Sequence, residues 1–197
     1  MFSDVLAALT RTNGVDGTAV VTNDLAAETL ALGIATVLGD ETEAGQSQAA
    51  DVGIRHAQAA GFERVLLVPG DTPLIDPGEV DQLLHRTARD RLSVGIVPDR
   101  HGSGTNALVL EPPDAIAPAF GPDSLQRHVA AAEAAGRAHR VEPCESLAHD
   151  VDTPEDLAEL LTVLQSTSRG AQRTRGAIAQ LERTGSLRAL AGARSLA

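Results

Sequence analysis

The most constraining stretch of this sequence is a short apolar run, residues 65–68 (Val-Leu-Leu-Val), that stops at Pro69-Gly70-Asp71. A continuous apolar run bounded by turn residues is typical of a strand buried on both faces of a parallel sheet. Asp71 comes at the carboxyl end of this predicted strand, where open α/β sheets bind their ligands. A carboxylate held there is suited to bind a divalent cation against phosphate oxygens, and Gly70 lets a ligand approach the backbone closely. The alternative is that Asp71 only stabilises a turn.

Strands and helices alternate along the first 165 residues. We predict helices over about 2–9, 25–32, 48–60, 77–88, 124–135 and 154–165, and strands over about 17–22, 34–38, 65–68, 93–97, 107–110 and 138–141. Such alternation is typical of βαβ units, so we expect an α/β fold with a largely parallel sheet and helices on both faces. Residues 1–165 are expected to form this domain.

Residues 166–197 differ from the domain in charge. They hold six Arg and one acidic residue, a charge of +5, whereas residues 1–165 hold ten Arg and 26 acidic residues, a charge of −16. This tail is rich in Ser, Thr and Arg at first and then becomes weakly amphipathic. We expect a helix that is loosely docked on the domain or independent of it, and a basic arm that binds a partner is the alternative.

Composition excludes several classes of protein. The net charge of −11 argues against nucleic acid as a partner, because phosphate backbones are bound by basic patches. No apolar run approaches about 18 residues and no basic, apolar N-terminal segment is present, so we expect neither a membrane span nor a secretion signal. A single cysteine, Cys144, excludes an internal disulfide and favours a cytoplasmic location.

Three aspartates form the strongest candidate site. Asp150 and Asp152 lie two residues apart before the last predicted helix, so both point to one side of an extended segment. If the sheet brings this segment beside Asp71, the three carboxylates repel one another unless a cation lies between them, which indicates Mg²⁺ bound together with phosphate. The alternative is that Asp152 and Thr153 only cap the last helix, with Glu155 completing a capping box.

Two glycine-containing segments are candidate anion sites. Residues 102–106 (Gly-Ser-Gly-Thr-Asn) follow a predicted strand and offer unblocked backbone N–H groups, with the charge of Arg100 beside them. Residues 121–124 (Gly-Pro-Asp-Ser) open a helix, where N–H groups, the helix dipole and the Ser124 hydroxyl favour an anion. A bare glycine-rich loop is a weak signal, and an ordinary N-cap by Asp123 or Ser124 is the alternative for the second segment.

Four motifs occur together in one order: residues 70–74 (Gly-Asp-Thr-Pro-Leu), 97–108 (Val-Pro-Asp-Arg-His-Gly-Ser-Gly-Thr-Asn-Ala-Leu), 120–124 (Phe-Gly-Pro-Asp-Ser) and 150–154 (Asp-Val-Asp-Thr-Pro). In this combination the chain resembles the guanylyltransferases that activate 2-phospholactate or phosphoenolpyruvate for synthesis of the deazaflavin coenzyme. The resemblance covers about residues 1–165, and its middle two motifs are the specific ones. It implies a three-layer αβα Rossmann-like nucleotidyltransferase fold with a mostly parallel sheet.

The reaction that this resemblance implies is the transfer of GMP from GTP to phosphoenolpyruvate or 2-phospho-L-lactate. A phosphate oxygen of the acceptor attacks the α-phosphorus of GTP, and pyrophosphate leaves. By the family pattern Asp71, Asp150 and Asp152 hold Mg²⁺, with Asp71 and Asp152 as catalytic residues. Joining two anions needs cations and N–H donors more than a covalent intermediate, which agrees with these residue types.

The resemblance also implies the binding residues and partners. The acceptor would contact residues on the two glycine-containing segments and beside them: Arg100, Thr105, Asn106, Gly121 and Ser124. The nucleotide would contact Gly45, Ser47 and Gly70. Expected partners are GTP, a small phosphorylated acid, and either a second copy of the chain or a downstream transferase of the pathway.

The chain departs from the family pattern in two places. We expect it to lack the family's first strand and the Lys- and Arg-bearing loop that grips the GTP phosphates, because Met1 falls inside the next helix and the sequence has no Lys. Without that strand an apolar sheet edge is exposed, and without that loop the chain as written should turn over slowly. The base-binding loop reads Gly45-Gln46-Ser47 where the family usually has Gly-Leu-Asn.

These departures keep two alternatives open. One is a related nucleotidyltransferase, such as a molybdopterin-type enzyme, that uses another base or acceptor. The other is an inactive relative that only binds a phosphorylated acid or a partner enzyme.

Overall fold

The computed structural model describes residues 1–40, 43–167 and 170–184. The α-helices are α1 (Phe2–Leu9), α2 (Leu25–Ala31), α3 (Gln46–Ala59), α4 (Pro77–Arg89), α5 (Ser124–Ala134), α6 (Pro154–Ser166) and α7 (Gln172–Arg183). The strands are β1 (Ala19–Val21), β2 (Thr36–Leu38), β3 (Val65–Leu67), β4 (Val94–Pro98), β5 (Thr105–Leu110) and β6 (His139–Val141). A short 3-10 helix, Glu145–Leu147, precedes α6. The helices and strands predicted within residues 1–165 are all present, with ends displaced by no more than two residues.

The strands form two sheets. β1 and β2 pair in parallel, and the second sheet has the order β3-β5-β4-β6. In that sheet β4 and β6 are parallel, whereas β5 runs antiparallel to both β3 and β4. The α/β class is therefore confirmed, with one reversed strand that the alternation of elements did not predict. Residues 99–104 link β4 to β5, and six residues are too few for the helical crossover that parallel neighbours need.

Apolar side chains cover both faces of the larger sheet. On one face Ala107 and Val109 of β5 pack with α1 and α4. On the other face Leu108 and Leu110 of β5 pack with α3 and α5. This alternation follows from the two-residue period of a strand and gives three layers, with the sheet between two layers of helices.

The sheet is interrupted between β1 and β3. Among the described residues β1 pairs only with β2, and β3 pairs only with β5. α3 packs on both β1 and β3 and so joins the two sheets on one face. Among the described residues no strand lies on the outer edge of β3, and β3 is half-buried rather than fully buried as its sequence predicted.

The described part of the tail is held on the domain. The buried Asp4 of α1 accepts hydrogen bonds from the backbone N–H groups of Arg173 (3.0 Å) and Thr174 (2.8 Å) and from the Thr174 hydroxyl (2.6 Å). Ile178 of α7 also packs with Leu160 and Leu164 of α6. The tail was expected to dock loosely or to be independent. Instead, the buried carboxylate of Asp4 on α1 binds the first turn of α7 and attaches this helix to the domain. Within the described ranges, no helix is both long enough and apolar enough to span a bilayer.

Candidate active site

Asp71 lies in the turn that follows β3, four residues beyond Leu67, on the carboxyl side of the strand as the sequence predicted. Its Oδ1 atom is buried and has no hydrogen-bond partner among the described residues. Burial raises the pKa of Asp71, and the nearby charges of Asp152 and Asp150 raise it further. The turn itself is closed by Thr72, whose hydroxyl donates to the Pro69 carbonyl (3.2 Å). A buried carboxylate oxygen without a donor is a costly arrangement that needs an additional partner.

Asp150 and Asp152 lie on the segment that enters α6. The Asn106 amide donates to Asp150 Oδ1 (3.2 Å) and to the Leu147 carbonyl (2.9 Å), so β5 holds this segment beside the sheet. The Asp152 backbone N–H donates to Asp156 Oδ2 (3.0 Å). The charges of Asp150 and Asp152 both act on Asp71, so this segment lies near the end of β3.

The cap of α6 agrees in part with the alternative stated above, because Thr153 caps the helix in a capping box, but Asp152 and Glu155 do not take part. Thr153 is the N-cap, and its side chain accepts from the Asp156 backbone N–H (3.2 Å) while the Asp156 carboxylate accepts from the Thr153 backbone N–H (2.6 Å). The acid of the capping box is therefore Asp156 rather than Glu155, because a capping box pairs the N-cap residue with the residue three positions later. Asp152 does not cap the helix through its carboxylate.

The three aspartates suit a hard divalent cation by their chemistry. They offer only carboxylate oxygens, one of them buried and unpaired, which are the ligands that Mg²⁺ prefers. No three His, Cys, Asp or Glu side chains of the described residues lie close enough together to hold a metal ion, so Mg²⁺ at these aspartates stays a prediction.

The glycine-rich segment is a hairpin loop organised by Asp99. The Asp99 carboxylate accepts from the Ser103 backbone N–H (3.0 Å), its carbonyl accepts from the Gly102 N–H (3.1 Å), and its own N–H donates to the Gly104 carbonyl (3.1 Å). A Cβ at Gly104 would lie 2.7 Å from Asp99 Oδ2, which explains the glycine. Two of the N–H groups predicted to bind an anion are thus engaged within the loop.

Thr105 and Asn106 belong to β5 rather than to this loop. Both are buried, with relative exposures of 6% and 4%. The Thr105 hydroxyl lies 2.9 Å from His128 Nδ1, and His128 Nε2 accepts from the Ala119 backbone N–H (2.8 Å). Burial lowers the pKa of His128 to about 4, so the ring is neutral at physiological pH.

The N-terminus of α5 lies against the glycine-rich loop, because the Leu125 N–H donates to the Ser103 carbonyl (3.1 Å). Ser124 is 1% exposed, and its Oγ has no hydrogen-bond partner among the described residues. Asp123 has a left-handed backbone (φ 55°) and makes no side-chain cap, and Gly121 also has a positive φ (105°). Neither Asp123 nor Ser124 caps the helix through its side chain, and the Ser124 N–H donates to the Gly121 carbonyl (3.1 Å), so the first N–H groups of α5 are engaged within the protein and the unpaired Ser124 hydroxyl is the group left for an anion.

Arg100 is engaged by acidic residues of α6. Its guanidinium pairs with Asp156, its Nη1 lies 2.7 Å from Glu159 Oε2, and its Nε donates to His101 Nε2 (3.1 Å). The Arg100 N–H also donates to the Ala148 carbonyl (3.1 Å). These contacts tie the glycine-rich loop to the Asp150–Asp152 segment. A direct contact between Arg100 and the acceptor stays a prediction that requires these ion pairs to open.

Of the three residues predicted to bind the nucleotide, Gly45 and Gly70 lie apart from the acceptor segments, whereas Ser47 contacts the segment before α5. Gly45 precedes α3 with a positive φ (99°), and Gly70 packs against the ring of Phe2, which lies 3.1 Å from the position of a Cβ there. Ser47 Oγ accepts from the Phe120 N–H (2.8 Å) and so links α3 to the segment before α5. A cavity of about 670 Å³ opens beside Ser47 along α3 and reaches Arg55 and Pro118, but its lining does not include the three aspartates.

Two residues beside the site were given no role from the sequence. His128 lies four residues after Ser124 and therefore on the same face of α5, a spacing that the sequence does show. Asp156 follows Thr153 at the spacing of a capping box, which is also visible in the sequence. Its ion pair with Arg100, 56 residues away, has no local signal.

Comparison with known proteins shows the family to which the chain is similar. The sequence model of the family described as "Guanylyl transferase CofC like" matches residues 1–182. The phosphoenolpyruvate guanylyltransferase of Conexibacter woesei is 48% identical over 185 residues, which are 93% of this chain and 83% of that protein. The proteins of the same name from Sphaerobacter thermophilus and Streptomyces coelicolor are 41% identical over 116 residues (59% of this chain, 55% of that protein) and 35% identical over 164 residues (81% and 74%).

Solved structures share the fold at low identity. A cytidylyltransferase from Leptospira borgpetersenii superposes with a TM-score of 0.61 at 13% identity and covers 94% of this chain and 84% of its own. A 4-diphosphocytidyl-2C-methyl-D-erythritol synthase superposes with a TM-score of 0.63 at 16% identity, covering 83% of this chain and 89% of its own. The Rossmann-like nucleotidyltransferase fold implied by the sequence is therefore confirmed.

Proposed function

This chain belongs to the CofC-like guanylyl transferase family, and from that membership we propose that it transfers GMP from GTP to phosphoenolpyruvate with release of pyrophosphate. A phosphate oxygen of phosphoenolpyruvate attacks the α-phosphorus of GTP. The new P–O bond forms as the bond from the α-phosphorus to the bridging oxygen of pyrophosphate breaks. The names of the relatives in Conexibacter and Streptomyces favour phosphoenolpyruvate over 2-phospho-L-lactate as the acceptor.

The observation that carries the proposal is the buried hydroxyl of Ser124, which has no partner among the described residues. It lies at the N-terminus of α5, one helical turn from His128, whose ring contacts the Thr105 hydroxyl. Two hydroxyls beside the positive end of a helix dipole are suited to the phosphate and carboxylate of a small acid. Leaving a buried hydroxyl unpaired costs about 1–3 kcal/mol, which an anionic ligand would offset.

The carboxylates of Asp71, Asp150 and Asp152 are the residues that would hold Mg²⁺. When bound, the metal would neutralise phosphate oxygens and stabilise the charge that develops as pyrophosphate leaves. Asp71 would orient it from the rigid end of β3, and Asp150 is held in place by Asn106. On the other side of the site, Gly45, Ser47 and Gly70 stay the predicted nucleotide contacts.

The test is a substrate matrix on the full-length protein. Pyrophosphate release is measured with each of GTP, ATP, CTP and UTP against phosphoenolpyruvate and 2-phospho-L-lactate, with and without Mg²⁺. We expect GTP and phosphoenolpyruvate with Mg²⁺ to give the highest kcat/KM, and mass spectrometry to identify the phosphoanhydride product. A preference for another nucleotide would favour the molybdopterin-type or other related transferase. Binding of phosphoenolpyruvate in calorimetry, without pyrophosphate release from any pair, would favour the binding-only alternative.

A further inference from the structure

The buried ring of His128 links two elements of the candidate acceptor site. It lies on α5 with no exposed surface, and each ring nitrogen has one partner. Nδ1 lies 2.9 Å from the Thr105 hydroxyl on β5, and Nε2 lies 2.8 Å from the Ala119 backbone nitrogen. Phe120 packs edge-on against the ring, with 5.3 Å between the ring centroids.

The partner at Nε2 decides which nitrogen carries the proton. A backbone N–H can only donate, so Nε2 must accept from Ala119 with its lone pair. The proton of the neutral ring is then on Nδ1, and Nδ1–H donates to the oxygen of Thr105. An imidazolium would place a second hydrogen between Nε2 and the Ala119 N–H, and the two donors would repel each other.

The direction of the Thr105 hydroxyl follows from this tautomer. Its oxygen accepts from His128, so its own hydrogen is free to donate to another group. His128 is its only recorded side-chain partner among the described residues. A hydroxyl that accepts from one side and is free to donate on the other is prepared for an anion, because an anion accepts hydrogen bonds and cannot donate them.

We propose that His128 is a positioning residue that holds the Thr105 hydroxyl as a hydrogen-bond donor to the phosphorylated acid, an inference that rests on the proposed function. His128 itself does not touch the substrate. Its contribution is to fix the orientation of the hydroxyl before the substrate binds, so that no reorientation is needed on binding.

Two amide substitutions separate this role from a purely structural one. In His128→Asn the amide nitrogen takes the position of Nδ1 and can still donate to Thr105, but the contact with Ala119 is lost. In His128→Gln the amide oxygen takes the position of Nε2 and can still accept from Ala119, but the donation to Thr105 is lost. We expect the KM for phosphoenolpyruvate to rise about tenfold in His128→Gln and clearly less in His128→Asn, with the KM for GTP little changed in both.

Coupling to Thr105 provides the second measurement. Thr105→Val removes the hydroxyl at nearly constant volume. If His128 acts through that hydroxyl, adding His128→Gln to Thr105→Val gives no further rise in the acceptor KM. Equal effects of the Asn and Gln variants, or additive effects in the double variant, would overturn the proposal. A wild-type protein that does not bind phosphoenolpyruvate at all would instead overturn the proposed function.

Nitrogen NMR of the wild-type imidazole tests the tautomer without any substitution, so variants that fail to fold do not leave the question open. We expect a neutral ring protonated at Nδ1 across the neutral pH range. A ring protonated at Nε2, or an imidazolium at neutral pH, would show that the Thr105 hydroxyl is not held in the donating orientation.

Discussion

The two sides of the candidate site are built differently. On the acceptor side, β4 and β5 are fully buried apart from Pro98, and the polar side chains of Thr105, Ser124 and His128 are buried with them. On the nucleotide side, β1 and β2 are three residues long, pair only with each other among the described residues, and keep their first residues exposed. Large apolar side chains are also exposed there, including Leu25 (77%) and Ile34 (50%).

This difference predicts that the two proposed binding sites differ in how far they are ordered before a ligand binds. Buried polar groups can be held in one orientation only by a packed environment, and the acceptor side has that environment. A two-stranded sheet is marginally stable alone, so β1 and β2 depend on α3 for their position. We infer that the acceptor site is preorganised, whereas the nucleotide site gains much of its order from the groups that bind beside β1 and β3.

The largest expected effect concerns the aspartates between the two sides. Asp71→Asn keeps the size of the side chain and removes the charge that would hold Mg²⁺, so pyrophosphate release should fall by about 10²–10³-fold. Acceptor binding, measured by calorimetry, should persist because it depends on the other side. Asp16→Asn, at an exposed position, is the matched control. Near wild-type turnover of Asp71→Asn would remove the metal assignment.

The same variant should also change the thermal stability of the protein, and here we expect an increase rather than a loss. Because burial raises the pKa of Asp71, the stability that this group contributes is present below the ordinary carboxyl pKa and is lost as the pH rises through the raised folded pKa. At neutral pH and without metal, Asp71→Asn should therefore melt at a higher temperature than the wild type. Added Mg²⁺ should stabilise the wild type and not the variant. A lower melting temperature for the metal-free variant would contradict the buried, unpaired state of Asp71.

A Val-to-Ala substitution in β5 and another in β1 test whether the two sides differ in packing. Val109→Ala in β5 removes methyl groups from a side chain that is 1% exposed, and we expect a loss of about 2–3 kcal/mol in the free energy of unfolding. Val20→Ala in β1 removes the same groups from a half-buried side chain, and we expect about 1 kcal/mol or less. Denaturant titration of both variants measures the difference. Equal losses would show that β1 is as well packed as β5.

Much of the fold was predictable because its signals are local. The helix α4 was predicted from an Asp-Pro start and a regular apolar spacing, and Asp76 does cap it by accepting from the Glu79 N–H (3.0 Å). The antiparallel direction of β5 was not predicted, because the apolar pattern of a strand is the same whether it pairs in parallel or antiparallel. The signal for a hairpin is the short link between β4 and β5.

The sequence proposed residues for the site but not the contacts among them. It proposed Asp71, Thr105 and Ser124, which the structure places in the turn after β3, at the start of β5 and at the start of α5. It could not show that Arg100 pairs with Asp156 or that Ala119 fixes the tautomer of His128, because both depend on distant segments meeting. Contacts of this kind follow from tertiary packing, for which a single sequence contains no local pattern.

A smaller effect is expected at Ser124, within the acceptor side. Ser124→Ala removes one donor to an anion, which is worth about 1.5–3 kcal/mol, so the KM for phosphoenolpyruvate should rise about tenfold or more while the KM for GTP changes little. Ser103→Ala, on the exposed face of the neighbouring loop, is the matched control and should leave both constants near wild type. An equal rise in both KM values for Ser124→Ala would mean that this residue does not distinguish the two sides.

The smallest expected effect compares one ion pair from each side. Arg55 and Asp51 pair on the surface of α3, with side chains 64% and 48% exposed, whereas Arg100 and Asp156 pair with side chains 16% and 11% exposed. Arg55→Gln should cost only a few tenths of a kcal/mol in unfolding free energy, because exposed pairs are solvated and flexible.

Arg100→Gln should cost about 1 kcal/mol, because it removes a less exposed hydrogen-bonded charge from Asp156. The loss stays modest because Asp156 still accepts from the backbone N–H groups of Asp152 and Thr153. Denaturant titrations at low and high salt separate the two pairs, since screening should reduce the Arg55 effect further and leave most of the Arg100 effect. If both effects vanish at high salt, the tie between the glycine-rich loop and α6 is only a surface interaction, and the acceptor side is less rigid than the buried polar groups indicate.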